Sequence, residues 1–402
     1  MKRSRSNDNK TLSSIPSEAS YFDYCPDEII EKITACCTKK NILMRLNTSF
    51  FRLCSKKNAD NILPHAPLVL NKFDKRYFMN YYAYEGNEHI VTNLLNHHAS
   101  LVYTSWLGMN PFVCASDGLN EKILNVLIQR GLKPIKRNQQ PITLLHKAVY
   151  YGNINTVKSL IDLKIDINNQ NIPAESTPLL IASYLGNADI VELLLEHGAK
   201  VDLVDDEDDT PLHCACIHGH FTIAQSLLKH GASVHSIDND GDTPLHCACI
   251  KGSFHLAQLL IEHKADVHAK NDDQETPLHK ASVNGRFTIT RLLLKNKANV
   301  NATDKNNNTP LHKACFKGYF KISQLLITRG AHVNVTDDND ATPLHNACFK
   351  GHFKIVALLL KNGANVHKKD NQGNTPLQIA YEKGHTDVAK LFIEKMSEAK
   401  KS

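Results

Sequence analysis

The sequence predicts an all-α solenoid of stacked helix-turn-helix units, preceded by a small helical module. A four-residue motif, Thr-Pro-Leu-His, recurs every 33 residues from position 210 to position 342. Each motif is followed by a second apolar stripe with helical spacing and then by a polar loop. Neither helix of such a unit can bury its apolar face alone, so the units must stack in a row.

The register of the motif extends in both directions. It includes the motifs that begin at Thr143, Thr177 and Thr375, and two degenerate units that begin near Tyr77 and Asn110. About ten units therefore cover residues 72–396. The polar stretch that follows, residues 397–402, is expected to be a frayed tail.

The unit that begins at Thr210 shows why each part of the repeat adopts its structure. Thr210 is suited to cap a helix that has Pro211 in its first turn, and Gly219 provides a left-handed stop. The second helix carries the apolar stripe Phe221, Ile223, Ala224, Leu227 and Leu228. Turn-forming Asp and Asn residues then predict a hairpin loop before the next Thr.

Three lysines interrupt this pattern. Lys164, Lys264 and Lys297 stand where sister units have a glycine after the second helix. A lysine in the left-handed conformation costs about 1–2 kcal/mol, so these units are expected to be less stable than their neighbours.

The period, the motif and the glycines resemble an ankyrin-repeat array over about four-fifths of the chain. The resemblance implies β-hairpin loops between units, and a protein target held in a concave groove lined by the seventh and eighth residues after each Thr. On this sequence those positions hold Tyr150, Tyr151, Tyr184, Leu185, Ile217, His218, Ile250, Lys251, Val283, Asn284, Phe316, Lys317, Phe349 and Lys350. Exposed apolar side chains without a core to fill are candidate contacts for a partner.

Charge varies along the loops that flank this groove. The run Asp205-Asp-Glu-Asp-Asp209 and the loops near Asp240 and Asp273 are acidic, whereas those near Asn306 and Asn371 are not. A single loop acid is explained as a turn former, but a run of five exceeds that need. With the groove lysines beside it, this run predicts a groove that carries both signs of charge.

The N-terminal region differs from the array. Residues 1–20 are polar and are expected to be a disordered tail, and residues 21–60 predict a compact module of two or three helices with apolar faces. This module resembles an F-box, which would bind a Skp-type adaptor of a cullin ubiquitin ligase. The residues that match are Pro26, Glu28, Ile29, Ile33, Leu43, Leu46 and Phe50. Cys25 departs from the usual leucine, and a plain helical cap for the solenoid is the alternative.

No motif in the sequence predicts chemistry. Six motif histidines, from His146 to His345, recur with the same neighbours and so favour a structural role. Cys214 and Cys216 are two apart on a helix and face different ways, so we expect no metal site and no cofactor. Neither a phosphate-binding loop nor a nucleophile motif is present, so the chain is not expected to be an enzyme.

Composition limits the partners further. Lys and Arg number 47 against 41 Asp and Glu, and a formal charge of +6 over 402 residues is too weak to predict nucleic-acid binding. The sequence has no apolar run long enough to span a membrane. Eleven cysteines without a secretory signal predict reduced thiols in the cytoplasm.

The layout as a whole resembles F-box and ankyrin substrate receptors, including host-directed effectors, which would act in the host cytoplasm. It predicts a receptor that captures a protein target and recruits a Skp-type adaptor and a cullin ligase. Two alternatives stay open: a non-catalytic scaffold or inhibitor whose N-terminal helices are only a cap, and an enzyme within residues 1–70.

Overall fold

The computed structural model describes residues 79, 82–96, 111, 114–115, 120–130, 144–170 and 174–399. The chain divides into two compact units, Met1–Met79 with His89–Ser100, and Asn80–Glu88 with Leu101–Ser402. The tail expected at 1–20 and the F-box-like module predicted at 21–60 lie outside the described residues, as do all seven of its matching residues.

Residues 79, 82–85, 111 and 114–115 of the described part of the chain are helical, and no strand occurs in that part. Eighteen further α-helices have defined bounds there. In chain order they are α1 Glu88–Asn96, α2 Glu121–Gln129, α3 Leu144–Tyr150, α4 Ile154–Asp162, α5 Pro178–Leu185, α6 Ala188–Glu196, α7 Pro211–His218, α8 Phe221–Lys229, α9 Pro244–Lys251, α10 Phe254–Glu262, α11 Pro277–Val283, α12 Phe287–Lys295, α13 Pro310–Lys317, α14 Phe320–Thr328, α15 Pro343–Phe349, α16 Phe353–Lys361, α17 Pro376–Glu382 and α18 Thr386–Ala399. None of these helices is both long enough and apolar enough to cross a bilayer.

From α3 onward the helices alternate between a first and a second helix of one unit. Each first helix packs on the second helix of its own unit and on the first helix of the next unit. This arrangement confirms the predicted all-helical solenoid. Helix α18 continues to Ala399, so it extends into the residues 397–402 that the sequence predicts as a tail.

Local sequence explains where the first helices begin and end. Thr210 has an extended backbone, and its side chain accepts a hydrogen bond from the backbone N–H of His213. Pro211 follows at a position where a missing N–H costs nothing. Gly219 ends α7 in the left-handed conformation at φ 86°. The predicted start and stop signals of this helix are therefore confirmed.

The core of the array lies between the two helices of each unit and between neighbouring units. In α8 the predicted stripe is buried at Ile223, Ala224, Leu227 and Leu228, whereas Phe221 is exposed. Burying a Leu or Ile side chain stabilises the fold by about 1.5–3 kcal/mol. Because each unit shares its buried face with its neighbours, the stack is more stable than any isolated unit.

The motif histidines join successive units. His213 Nδ1 accepts a hydrogen bond from the backbone N–H of Thr210 at 3.2 Å, so the neutral ring carries its proton on Nε2. That Nε2 donates to the backbone carbonyl of Asp242, at the end of the next loop, at 3.1 Å. The same two bonds recur at His246, His279, His312 and His345. The structural role predicted for these residues is thus observed.

The loops between units are tight turns. In one loop the backbone N–H of Asp238 donates to the carbonyl of Asp242 at 3.1 Å. Neighbouring loops are linked by a backbone hydrogen bond from Asn239 to Glu207 at 3.1 Å, and by one from Asp272 to Asp240 at 3.1 Å. A β-ladder requires pairs of bonds that continue along both strands. The loops predicted as β-hairpins therefore form turns that touch at their tips.

The three lysines at glycine positions adopt the left-handed backbone. Their φ angles are 56° at Lys164, 71° at Lys264 and 66° at Lys297. Gly231 occupies the equivalent position at φ 90°, and a side chain added there would meet nothing within 4 Å. The space is therefore open, and the cost of each lysine comes from its backbone conformation.

Candidate functional site

A row of large side chains faces solvent along the first helices. We call the seventh and eighth residues after each motif Thr the first-helix surface. The exposed fractions of its large apolar residues are 60% for Tyr150, 56% for Tyr151, 55% for Tyr184, 38% for Leu185, 36% for Ile217, 38% for Ile250, 37% for Phe316 and 40% for Phe349. Lys251, Lys317 and Lys350 are also exposed, whereas Val283 and Asn284 are half-buried. Large exposed apolar side chains therefore lie at both ends of the first-helix surface, whereas the unit of Val283 and Asn284 between them contributes none.

One end of the first-helix surface is aromatic. The rings of Tyr150 and Tyr151 meet edge to face with centroids 5.1 Å apart. Tyr184 contacts the imidazole of His218 at 4.2 Å between centroids. Burial, together with the charges of His220 and Lys251, lowers the pKa of His218. This end therefore presents neutral rings at pH 7, and aromatic rings are enriched where protein partners bind.

The other end combines aromatic rings with positive charge. Phe316 and Phe349 stack with centroids 6.4 Å apart and planes 15° apart. The Lys350 ammonium lies 4.5 Å from the Phe316 centroid, and the Lys383 ammonium lies 4.8 Å from the Phe349 centroid. Such contacts hold the lysines over the rings. This end is complementary to a peptide segment in which an apolar side chain lies next to an acidic one.

Sequence reasoning missed Lys383. It is the eighth residue after Thr375, so the repeat register includes it. The sequence signal was available in the spacing alone.

Sequence reasoning also missed a set of side chains that hydrogen-bond the backbone carbonyls of first-helix surface residues. His220 Nε2 donates to the carbonyl of Tyr184 at 3.2 Å, and Arg286 Nη2 donates to the carbonyl of Ile250 at 2.8 Å. His352 and His385 bond the carbonyls of Phe316 and Phe349 in the same way. These residues satisfy the last carbonyls of the preceding first helix. Their common position, ten residues after each Thr, was visible in the sequence.

The acidic loops are neutralised in the later units. Lys280 Nζ lies 3.3 Å from Asp242 Oδ2 and 3.1 Å from Glu275 Oε2. Lys313 Nζ lies 2.9 Å from Glu275 Oε1 and 2.7 Å from Asp304 Oδ2. Burial by itself raises the pKa of Glu275, but hydrogen bonds and charge from both lysines bring it below its usual value. These acids therefore hold neighbouring loops together.

The first acid of each loop also shapes its own turn. Asp205 Oδ1 accepts hydrogen bonds from the backbone N–H groups of Glu207 and Asp209 at 3.1 and 2.9 Å. Asp238 and Asp337 likewise each accept hydrogen bonds from the backbone N–H groups of the residues two and four positions later. The turn-forming role accounts for an acid at this position of each of these loops.

The thiols that share one repeat position are packing residues. Cys216, Cys249, Cys315 and Cys348 have no exposed surface, and burial raises the pKa of each thiol, to about 12 at Cys315. Such thiols are inert toward nucleophilic chemistry. Cys214 lies apart from them, beside the acidic loop, as expected for residues two apart on a helix.

Comparison with known proteins gives one family. The family model described as ankyrin repeats (3 copies) matches residues 79–171, 112–205, 145–238, 179–271, 231–304, 264–337 and 311–402. These overlapping matches cover the chain from residue 79 to its last residue.

Individual relatives match shorter stretches. Dauer abnormal formation protein 25 of Caenorhabditis elegans is 30% identical over 95 residues, which are 24% of this chain and 24% of that protein. Ankyrin repeat and SOCS box protein 2 of Bos taurus is 30% identical over 95 residues, 24% of this chain and 15% of that protein. The chain thus spans a quarter or less of the length of these curated relatives.

Among solved structures, the human ASB11 ankyrin repeat domain has 31% sequence identity. The superposition covers 51% of this chain and 92% of that chain, with a TM-score of 0.48.

Proposed function

Since this chain belongs to the ankyrin-repeat family, we propose that it captures a protein target on its first-helix surface and delivers that target to a ubiquitin ligase. Ankyrin repeats form protein-interaction modules, and the single observation that carries the proposal is the row of exposed Tyr, Ile and Phe side chains along that surface. These side chains fill no core, so a partner is the simplest explanation for a row of them.

The target end of the proposal is tested at the stacked pair. Changing Phe316 and Phe349 together to Ser removes two apolar anchors that are more than a third exposed. Target affinity should fall at least tenfold, which corresponds to about 1.4 kcal/mol of binding energy. Thermal stability should change little, since surface substitutions usually cost about 0.5 kcal/mol or less.

The second helices supply a matched control. Phe353 is 45% exposed at the start of α16, which is a second helix. Affinity capture from eukaryotic lysate with mass spectrometry identifies the target, and the variants are then compared for binding to it. Phe353→Ser should keep the wild-type affinity. Equal losses from Phe353→Ser and from the double variant would show that the first-helix surface is not the binding face.

The ligase end of the proposal rests on residues 21–60. Pro26, Ile29, Ile33, Leu46 and Phe50 would form the face that binds a Skp-type adaptor, and Glu28 and Leu43 complete the match. The bovine relative is named for ankyrin repeats and a SOCS box, so repeats of this kind occur in one chain with a further box-type module. Catalysis would belong to the ligase, and this chain would act by binding in the cytoplasm.

Co-purification separates this role from a plain cap. Replacing Ile29 and Leu46 by Asn should abolish co-purification with a Skp-type adaptor and its cullin. An adaptor face must stay open before binding, so the change should cost the isolated chain less than the ~2–5 kcal/mol of an emptied core site. Target capture by the repeats should persist, because coupling along a solenoid is mainly between neighbours. Failure of the purified wild-type chain to bind any adaptor would leave a scaffold or inhibitor.

A further inference from the structure

Three potential metal ligands converge at the base of the acidic loop. One ligand atom each from Asp205, Asp209 and Cys214 lies within 4.8 Å of the other two. Asp205 is half-buried, Asp209 is 9% exposed and Cys214 is 4% exposed. The cluster joins the loop that precedes Thr210 to the first turns of α7, and no motif histidine belongs to it.

Asp209 is the unusual member of this cluster. Its Oδ1 atom is buried and has no hydrogen-bond donor among the described residues. In the part of the chain that the structure describes, no lysine or arginine forms an ion pair with the Asp209 carboxylate. Buried polar atoms almost always have a partner, and an isolated buried carboxylate is costly. The side chain therefore lacks a cation or a donor that the fold elsewhere supplies.

The next unit shows what the fold supplies. Asp242 occupies the same repeat position as Asp209, and its Oδ1 accepts a hydrogen bond from Asn271 Nδ2 at 2.7 Å. Its Oδ2 is held by Lys280, which follows it by 38 residues. The residue 38 positions after Asp209 is Cys247. A cysteine thus stands where a lysine would neutralise Asp209.

We infer that Asp205, Asp209 and Cys214 form a binding site for one divalent transition-metal ion of the Zn²⁺ type. Thiolate and carboxylate ligands suit Zn²⁺, with metal–sulfur and metal–oxygen distances of about 2.3 and 2.0–2.2 Å. Tetrahedral coordination needs ligand atoms about 3.5 Å apart, so the distances between the ligand atoms, now up to 4.8 Å, would shorten by about 1 Å when the ion binds. Three protein ligands leave a fourth position for water.

The electrostatics of the cluster support a cation here. The Asp209 carboxyl group is buried, and the acidic side chains of Asp205, Asp238, Glu207 and Asp240 all act on it electrostatically. These neighbours produce a local negative field that a divalent ion would neutralise. Metal coordination also stabilises the thiolate of a buried cysteine. Cys216, which packs in the core on another face of α7, takes no part.

Metal titration of the full chain tests the site. Zn²⁺ binding is measured by calorimetry, and Cd²⁺ is used to detect thiolate coordination through its charge-transfer absorption. The wild-type chain should bind one ion more tightly than Cys214→Ser does, by roughly tenfold or more. Asp209→Asn should show the same loss, and both Cys214→Ser and Asp209→Asn should lack the thiolate–Cd²⁺ band of the wild type. Circular dichroism checks that each variant is folded.

Cys247 provides the matched control and a second test. Cys247→Ser changes a thiol of the same burial in the next unit, and it should leave both the affinity and the Cd²⁺ band unchanged. Cys247→Lys places an ammonium at the position that Lys280 holds toward Asp242, so it should abolish Zn²⁺ binding in a folded chain. Equal affinity in the wild type and Cys214→Ser, or absence of binding by the wild type, would overturn the inference.

Discussion

Protonation of the motif histidines should destabilise the array in mildly acidic solution. His279 is fully buried, its Nδ1 accepts from the Thr276 N–H at 3.1 Å, and its Nε2 donates to the Asn308 carbonyl at 3.0 Å. A second ring proton would sit on Nδ1 and oppose an N–H donor. Burial is the main cause that lowers the folded pKa of His279 to about 4, against 6.5 in the unfolded chain.

The size of the effect follows from these two pKa values. Between pH 7 and pH 5 the unfolded chain takes up a proton at this histidine that the folded chain does not. Folding is therefore disfavoured as the pH falls, by about 2 kcal/mol for one histidine over that interval. The stabilisation is complete above pH 6.5 and is lost progressively as the pH falls toward 4. His246, with a folded pKa of about 4, adds a similar amount.

Urea unfolding followed by circular dichroism at pH 7 and pH 5 measures this loss. His279→Gln is the informative variant, because Gln378 naturally fills the same position in the last unit and accepts from the Thr375 N–H at 2.8 Å. Its loss of stability from pH 7 to pH 5 should be smaller than that of the wild type by about 2 kcal/mol. His367→Gln, at an exposed loop position, should behave like the wild type. The same pH dependence in His279→Gln and the wild type would refute the argument.

Three further predictions concern stability. Lys264→Gly should raise the free energy of unfolding by about 1 kcal/mol in urea melts, because the lysine has φ 71°, and an unchanged or lower value would contradict the strain. Lys313→Met should cost about 3 kcal/mol of stability by removing the cation between two partly buried acids. Lys305→Met, on a pair in which both side chains are more than half exposed, should cost much less, and equal costs for the two variants would contradict the argument. Deleting residues 243–275 as one whole unit should leave a folded helical chain by circular dichroism, and deleting half of that stretch should not.

Much of the fold was predictable because the determinants are local and repeated. Thr210, Pro211 and Gly219 specify where α7 begins and ends through their own backbone preferences, and the same residue types recur at 33-residue spacing. A local signal repeated in every unit leaves few alternative folds. The positions of the first-helix surface followed from the same register together with the resemblance to ankyrin repeats, which implies that the seventh and eighth residues after each Thr line a groove.

The β-hairpin expectation shows where local inference ends. Whether two loops pair as strands depends on hydrogen bonds between units, and those bonds are limited to single contacts such as Asn239 to Glu207. The sequence of one loop contains no information about the distance to the next loop. The partner of the motif histidine was hidden for the same reason, since the carbonyl that His213 reaches is 29 residues away.

The sequence by itself determined the all-helical repeat, its period and the side chains along its first helices, because those depend on residues a few places apart. Only the tertiary structure decided which acids are neutralised. Lys280 reaches Asp242 across a unit boundary, while Asp209 faces Cys214 and has Cys247 in the place of that lysine. The composition of both loops is acidic, so the difference in their electrostatics arises from the stacking that brings residues 38 positions apart into contact.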